Sequence, residues 1–96
     1  MGRYVLSPAA QISLKDIRSH SLEQFGSRQT TRYLKTLRDR MRQLAANPSA
    51  GKPRDDIKAG YRCAFVGSHT IYYRVSDTHI DIIDVLHQRM EPTLHL

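Results

Sequence analysis

"YRCAFVGSHTIYYRVSDTHIDIIDVLH" (residues 61–87) is the stretch on which the fold turns. Tyr61, Cys63 and Phe65 alternate with Arg62, Ala64 and Val66, the period of a half-buried strand. Gly67–Ser68 follows as a tight turn, and "HTIYYRV" (69–75) then sets Ile71, Tyr73 and Val75 on one side. Ser76–Asp77–Thr78 forms the next turn before "HIDIIDVL" (79–86). Three β-prone runs joined by such short turns predict an antiparallel meander. The alternation places Tyr61, Cys63, Phe65, Ile71, Tyr73 and Val75 towards the core, and Arg62, Tyr72 and Arg74 away from it. Ile82 and Ile83 are adjacent and break the pattern, which predicts burial on both faces of the last strand or a bulge.

Upstream, the period changes. "RYVL" (3–6) is a short β-prone run ended by Ser7, a good helix cap, and Pro8, suited to the first helical position. Ala10, Leu14, Ile17, Ser21 and Phe25 then recur at helical spacing until Gly26, a natural stop. A second helix is predicted from Ser27 to about Ala46, with Tyr33, Leu34, Leu37, Met41, Leu44 and Ala45 on its apolar face. "NPSAGKPRDD" (47–56) carries two Pro and a Gly and reads as loop. The order is β-α-α-β-β-β: an α+β domain spanning 1–96, its helical hairpin covering one face of an antiparallel sheet that the first strand joins.

Ninety-six residues suit one domain with one core, and the 40% hydrophobic and 25% charged shares are those of an ordinary globule. No run reaches the roughly 20 apolar residues of a membrane span, and the N-terminus lacks the apolar stretch of a signal peptide. A cytoplasmic protein without membrane contact is expected. The net charge of +6 is unevenly placed. Residues 1–46 hold nine Lys/Arg against three Asp/Glu, whereas residues 47–96 hold six of each. All the excess lies in the N-terminal half and points to an anionic partner, nucleic acid or acidic protein.

Two constellations follow. Arg28, Arg32, Lys35 and Arg42 lie within about 40° of one direction on the second helix. They form either an ordinary solvated face, interrupted by Asp39, or a surface that recruits an acidic partner or a phosphate backbone. In the sheet half, Arg62, His69, Tyr72, Arg74, His87 and Arg89 read as polar groups on the open face. That face is either plain surface or a site for phosphate or RNA, with His beside Arg as acid–base group and anion clamp. The five His are scattered without metal-ligand spacing, no Gly-rich phosphate loop follows a strand, and lone Cys63 has no partner. No metal or other cofactor is expected.

"YVLSPAAQISLKDI", "FGSRQTTRYLKTL", "NPSAGKPRDDIKAGYR", "GSHTIYYRV" and "LHQRMEP", in that order, resemble the ParE branch of the RelE/ParE toxin superfamily, over residues 4–96. The resemblance implies a toxin of a type II toxin–antitoxin module, a helical hairpin packed on a twisted antiparallel sheet. It further implies a ParD-like antitoxin whose C-terminal segment wraps the toxin in a hetero-oligomeric complex. The toxin alone would read no DNA sequence; freed, it would block replication by poisoning DNA gyrase. Relatives of the RelE type instead cut mRNA on the ribosome, and for that activity Arg62, Arg89 and His87 or His95 are the candidate groups. The ending "LHQRMEP" resembles the ParE form, so no catalytic residue is expected. Arg28, Arg32, Lys35, Arg62, Tyr72, Arg74, His87 and Arg89 are then candidates for binding antitoxin or target.

Overall fold

The computed structural model describes residues 2–96. Strand β1 (Tyr4–Leu6) leads into helix α1 (Pro8–Ala46). Strands β2 (Lys52–Pro53), β3 (Tyr61–Val66), β4 (His69–Val75) and β5 (Ile80–His87) follow. Ser7 starts the helix as predicted: its Oγ accepts from Ala10 N at 2.9 Å and donates to Ile83 O at 2.6 Å, which ties the helix start to β5.

The helix is bent back on itself. Thirty-nine residues at 1.5 Å each would make a straight rod of about 58 Å. The longest axis of the molecule is 37 Å. Gly26 makes the break, with φ 82° and ψ 176°, and divides α1 into arms 8–25 and 27–46. This is backbone that essentially only glycine adopts. The predicted helical hairpin is therefore present. A Cβ at Gly26 would meet nothing within 4 Å, so the penalty of Gly26→Ala is purely conformational. We expect a loss of about 1–3 kcal/mol in a urea melt; an unchanged midpoint would show that the bend does not need glycine.

The sheet order is β1-β5-β4-β3-β2. The meander β3-β4-β5 is antiparallel as expected, but β1 pairs with β5 in parallel, so the sheet is mixed at that edge. The two-residue β2 is a further edge strand inside the segment read as loop; Pro53 is tolerated there because an edge need not donate outward. The β4–β5 register slips by one residue at Tyr72/Tyr73, leaving Ile83 as the extra residue. Both alternatives for the Ile82–Ile83 step hold: Ile82 is in the main core, and Ile83 packs with a second cluster on the far face.

The main core joins Ala10, Ile17, Leu37, Met41 and Leu44 of the helix to Ala64, Val66, Ile71, Tyr73, Ile80, Ile82 and Val85 of the sheet. The orientation expected for β3 is reversed. The two-residue turn pairs Val66 with His69, which places Ala64 opposite Ile71 and Arg62 opposite Tyr73. Arg62, Ala64 and Val66 thus face the helix, while Phe65 is 59% exposed. The far face is also less open than expected. Cys63, Tyr72 and Leu86 are buried there beneath Ile57, Ile83 and Leu96. No helix among the described residues is long and apolar enough to cross a membrane.

Candidate functional site

Tyr73 and Arg62 clamp the chain between the helix and β2. Tyr73 Oη donates to Pro48 O at 2.6 Å and accepts from Gly51 N at 2.9 Å. Arg62 Nη2 donates to Ser49 O at 3.1 Å and Gly51 O at 2.9 Å. The guanidinium predicted to face a ligand therefore holds a loop instead. Tyr72 sits on the opposite face, buried, where desolvation raises its phenol pKa. Arg74 is exposed, 4.0 Å from Asp81. Arg89 lies beyond the end of β5, exposed, its N–H donating to His87 Nδ1 at 3.1 Å. On the helix, Lys35 and Arg42 both pair with Asp39, at 2.7 and 2.9 Å. Arg28 and Arg32 form no ion pair among the described residues.

The sheet constellation does not assemble on one face. Arg62 stands opposite Tyr73 and His87 opposite His69, four residues apart on β4, or about 13 Å along the strand. At that spacing, and with Arg62 bonded to the Ser49 and Gly51 carbonyls, these two nuclease candidates do not meet in this structure. The structure keeps one part of the set: His69 and His87 are direct cross-strand partners, their rings edge to face at 5.4 Å between centroids.

Those two histidines stand at the end of a cleft of about 920 Å³ between the helical hairpin and the β4–β5 end of the sheet. Its volume lies in the range of ligand and peptide pockets. The first arm contributes Asp16, Ile17, His20 and Phe25, the second Arg32 and Tyr33, and the C-terminal side Met90. Tyr33 and His20 were not found from the sequence. Helical spacing puts Tyr33 on the apolar face, and its Oη reaches His69 Nδ1 at 2.6 Å and Val66 O at 3.1 Å. Its ring lies on the β3–β4 turn, where a Cβ at Gly67 would stand 2.8 Å from it. The tight turn and the tyrosine are thus fitted to each other.

Burial first, then the neighbouring His87 and His20, hold the His69 pKa below the ordinary histidine value. Above about pH 6.5 the ring is neutral in both folded and unfolded chains and adds no pH dependence. Below it, the unfolded chain takes the proton more readily, so stability falls as pH drops towards the folded pKa. The carboxyls of Asp39, Asp56 and Asp81, all held below the usual carboxylate range, titrate at lower pH. We expect a lower melting temperature at about pH 5.5 than at about pH 7.5, with His69→Gln removing much of the difference. An identical slope in the variant would locate the effect elsewhere.

The model of the family described as ParE toxin of type II toxin-antitoxin system, parDE, matches residues 4–92. Toxin ParE1 of Mycobacterium tuberculosis (strain ATCC 25618 / H37Rv) is 44% identical over 90 residues, covering 93% of this chain and 92% of the relative. Toxin ParE1 of Caulobacter vibrioides is 38% identical over 96 residues, covering 100% and 99%. Among solved structures, a chain of the chromosomal ParDE TA system from P. aeruginosa superposes with a TM-score of 0.77 at 20% identity, covering 91% of this chain and 96% of that one. A chain of the toxin-antitoxin complex RelBE2 from Mycobacterium tuberculosis gives a TM-score of 0.58 at 22% identity, covering 88% and 95%. The last two speak for the fold, a helical hairpin on a twisted sheet. With the family match and the two ParE1 relatives spanning nearly the whole length, the chain belongs to the ParE toxin family of type II toxin–antitoxin systems.

Proposed function

We propose that the chain is held inactive by a ParD-like antitoxin in a hetero-oligomeric complex and, once freed, inhibits DNA gyrase in the cytoplasm. The observation that carries this reading is the match to the ParE family over residues 4–92. The separation of Arg62 from His87 supports it, because the basic and proton-transfer groups of a nuclease would have to converge on one phosphate. Arg62 is further occupied by the carbonyls of Ser49 and Gly51. The surface we assign to partners is the cleft, lined by Arg32, with Arg28 one turn before it on the same arm.

The test is a gyrase supercoiling assay with antitoxin-free protein. We expect loss of supercoiling with linear plasmid trapped, and reversal on adding antitoxin. Gyrase untouched at a large molar excess would overturn the gyrase reading. Cleavage of mRNA in a translating extract, abolished by His87→Ala, would replace it with the nuclease reading.

A further inference from the structure

The outer side of the second helical arm carries most of the charge of the chain. Residues 27–46 hold six Lys/Arg against one acidic residue, Asp39, whereas the net charge of the whole chain is +6. The inward side of the arm packs into the core through Leu37, Met41 and Leu44. Arg28, Lys35 and Arg42 fall on the opposite side, with Arg38 on one flank and Arg32 on the other, where the arm borders the cleft. All five are exposed. Arg28, Arg32 and Arg38 form no ion pair among the described residues. Lys35 and Arg42 share the single carboxylate of Asp39, so the face stays positive even there. From Arg28 to Arg42 the row runs about 21 Å along the helix.

We propose that this face grips the phosphate backbone of duplex DNA, without regard to base sequence and separately from the cleft. Charge complementarity calls for a polyanion, and what the face lacks selects which one. Only Thr31 and Asp39 stand among its cations, and no apolar side chain does. A protein partner would need buried apolar or aromatic anchors at the centre of the contact. No aromatic ring lies in the row either, so the bases of a single strand would have nothing to stack on. Duplex DNA needs neither: it offers one negative charge per about 1.7 Å of axis, about twelve over the length of the row. Its major groove, about 12 Å wide, admits a helix, whereas that of duplex RNA is deep and narrow. Phosphate contacts carry no sequence information, in keeping with a toxin that alone reads no DNA sequence. The inference does not depend on which enzyme the toxin inhibits.

The experiment is an anisotropy titration of the full chain, without antitoxin, against a labelled DNA duplex of arbitrary sequence. At about 200 mM salt we expect binding about 40-fold weaker than at about 50 mM, as about three neutralised phosphates require. Arg28→Glu and Arg38→Glu should each weaken binding at least tenfold at the lower salt, by roughly the loss of one or two phosphate contacts. Asp39→Asn, which releases Lys35 and Arg42 from their shared carboxylate, should tighten it by about tenfold. That is a gain of binding, which damage to the fold cannot produce. Lys58→Glu makes the same change of charge as Arg28→Glu at an exposed position outside the row, and should alter affinity by no more than about twofold. Equal weakening by Lys58→Glu and Arg28→Glu would reduce the effect to overall charge and overturn the proposal. Duplex RNA or single strands bound as tightly as duplex DNA would overturn the choice of ligand. Polyglutamate bound as tightly as DNA, with the same response to the variants, would reassign the face to an acidic protein. No binding at about 50 mM salt would overturn the proposal outright.

Discussion

Gly51→Ala is expected to lower the unfolding free energy by about 2–4 kcal/mol, among the largest effects a single methyl group can have in this fold. Gly51 is buried, and a Cβ there would fall directly on the Tyr73 hydroxyl, with the ring carbons 2.7 Å away. Neither side can move freely. Tyr73 is fully buried in the core, and its Oη bonds both Pro48 O and Gly51 N. Arg62 holds the same loop from the other side through Ser49 O and Gly51 O. Tyr73→Phe alone should cost about 1–3 kcal/mol, because the Gly51 N–H and Pro48 carbonyl lose their partner. The double variant should be less destabilised than the sum, since removing the hydroxyl relieves part of the clash. Additive denaturant midpoints would show that the two residues do not share this contact.

The second large effect is expected at Ile82. Its side chain is fully buried on β5, opposite Tyr73 of β4 and Leu6 of β1. Ile82→Ala should cost about 2–5 kcal/mol, transfer and cavity terms together. A domain of this size has roughly 5–15 kcal/mol in all, so the variant should approach unfolding at physiological temperature. Phe65→Ala supplies the contrast. Alternation alone would put Phe65 in the core and make it nearly as costly, whereas its exposure predicts a change within about 0.5 kcal/mol. If the Phe65 variant loses stability on the scale of the Ile82 variant, the face assignment of β3 is wrong.

Which parts of this structure the sequence disclosed follows from the range of the forces involved. Ser7, Gly26 and the alternating runs act through their own neighbours, so the helix start, the bend and the meander were legible. Direction and edge pairing are set across the chain, and nothing within "RYVL" or "GKP" announces a parallel partner or a two-residue ladder. The face of β3 is fixed by its turn and not by its alternation. A two-residue turn at Gly67–Ser68 obliges Val66 to face His69, hence Ala64 to face Ile71, and Phe65 cannot then share the face of Ile71. The same register count predicts the His69–His87 pair, given the bulge. Tyr33 was hidden because an apolar ring at helical spacing reads as core, and its hydroxyl matters only once β4 has placed His69 beneath it. Of the candidate site residues, Arg32 and His87 come together in the cleft; Arg62 and Tyr72 are occupied in packing, and Lys35 is paired with Asp39.

The parallel ladder of β1 on β5 gives this small protein an order of assembly. The first strand of the chain is hydrogen-bonded to the last, and Ser7 reaches Ile83 across 76 residues of sequence. During synthesis β1 is made well before β5 and has no sheet partner until β5 follows, because β5 stands between it and β4. Such long-range pairing makes folding slow and late. A nascent or prematurely terminated chain lacks the strand that joins β1 to the meander and the residues, Val85 to Met90, that close one side of the cleft. Protease protection of stalled nascent chains should therefore appear only when β5 has cleared the exit. A chain cut off before Ile80 would carry β1 and the helix with no ladder to close them onto the sheet.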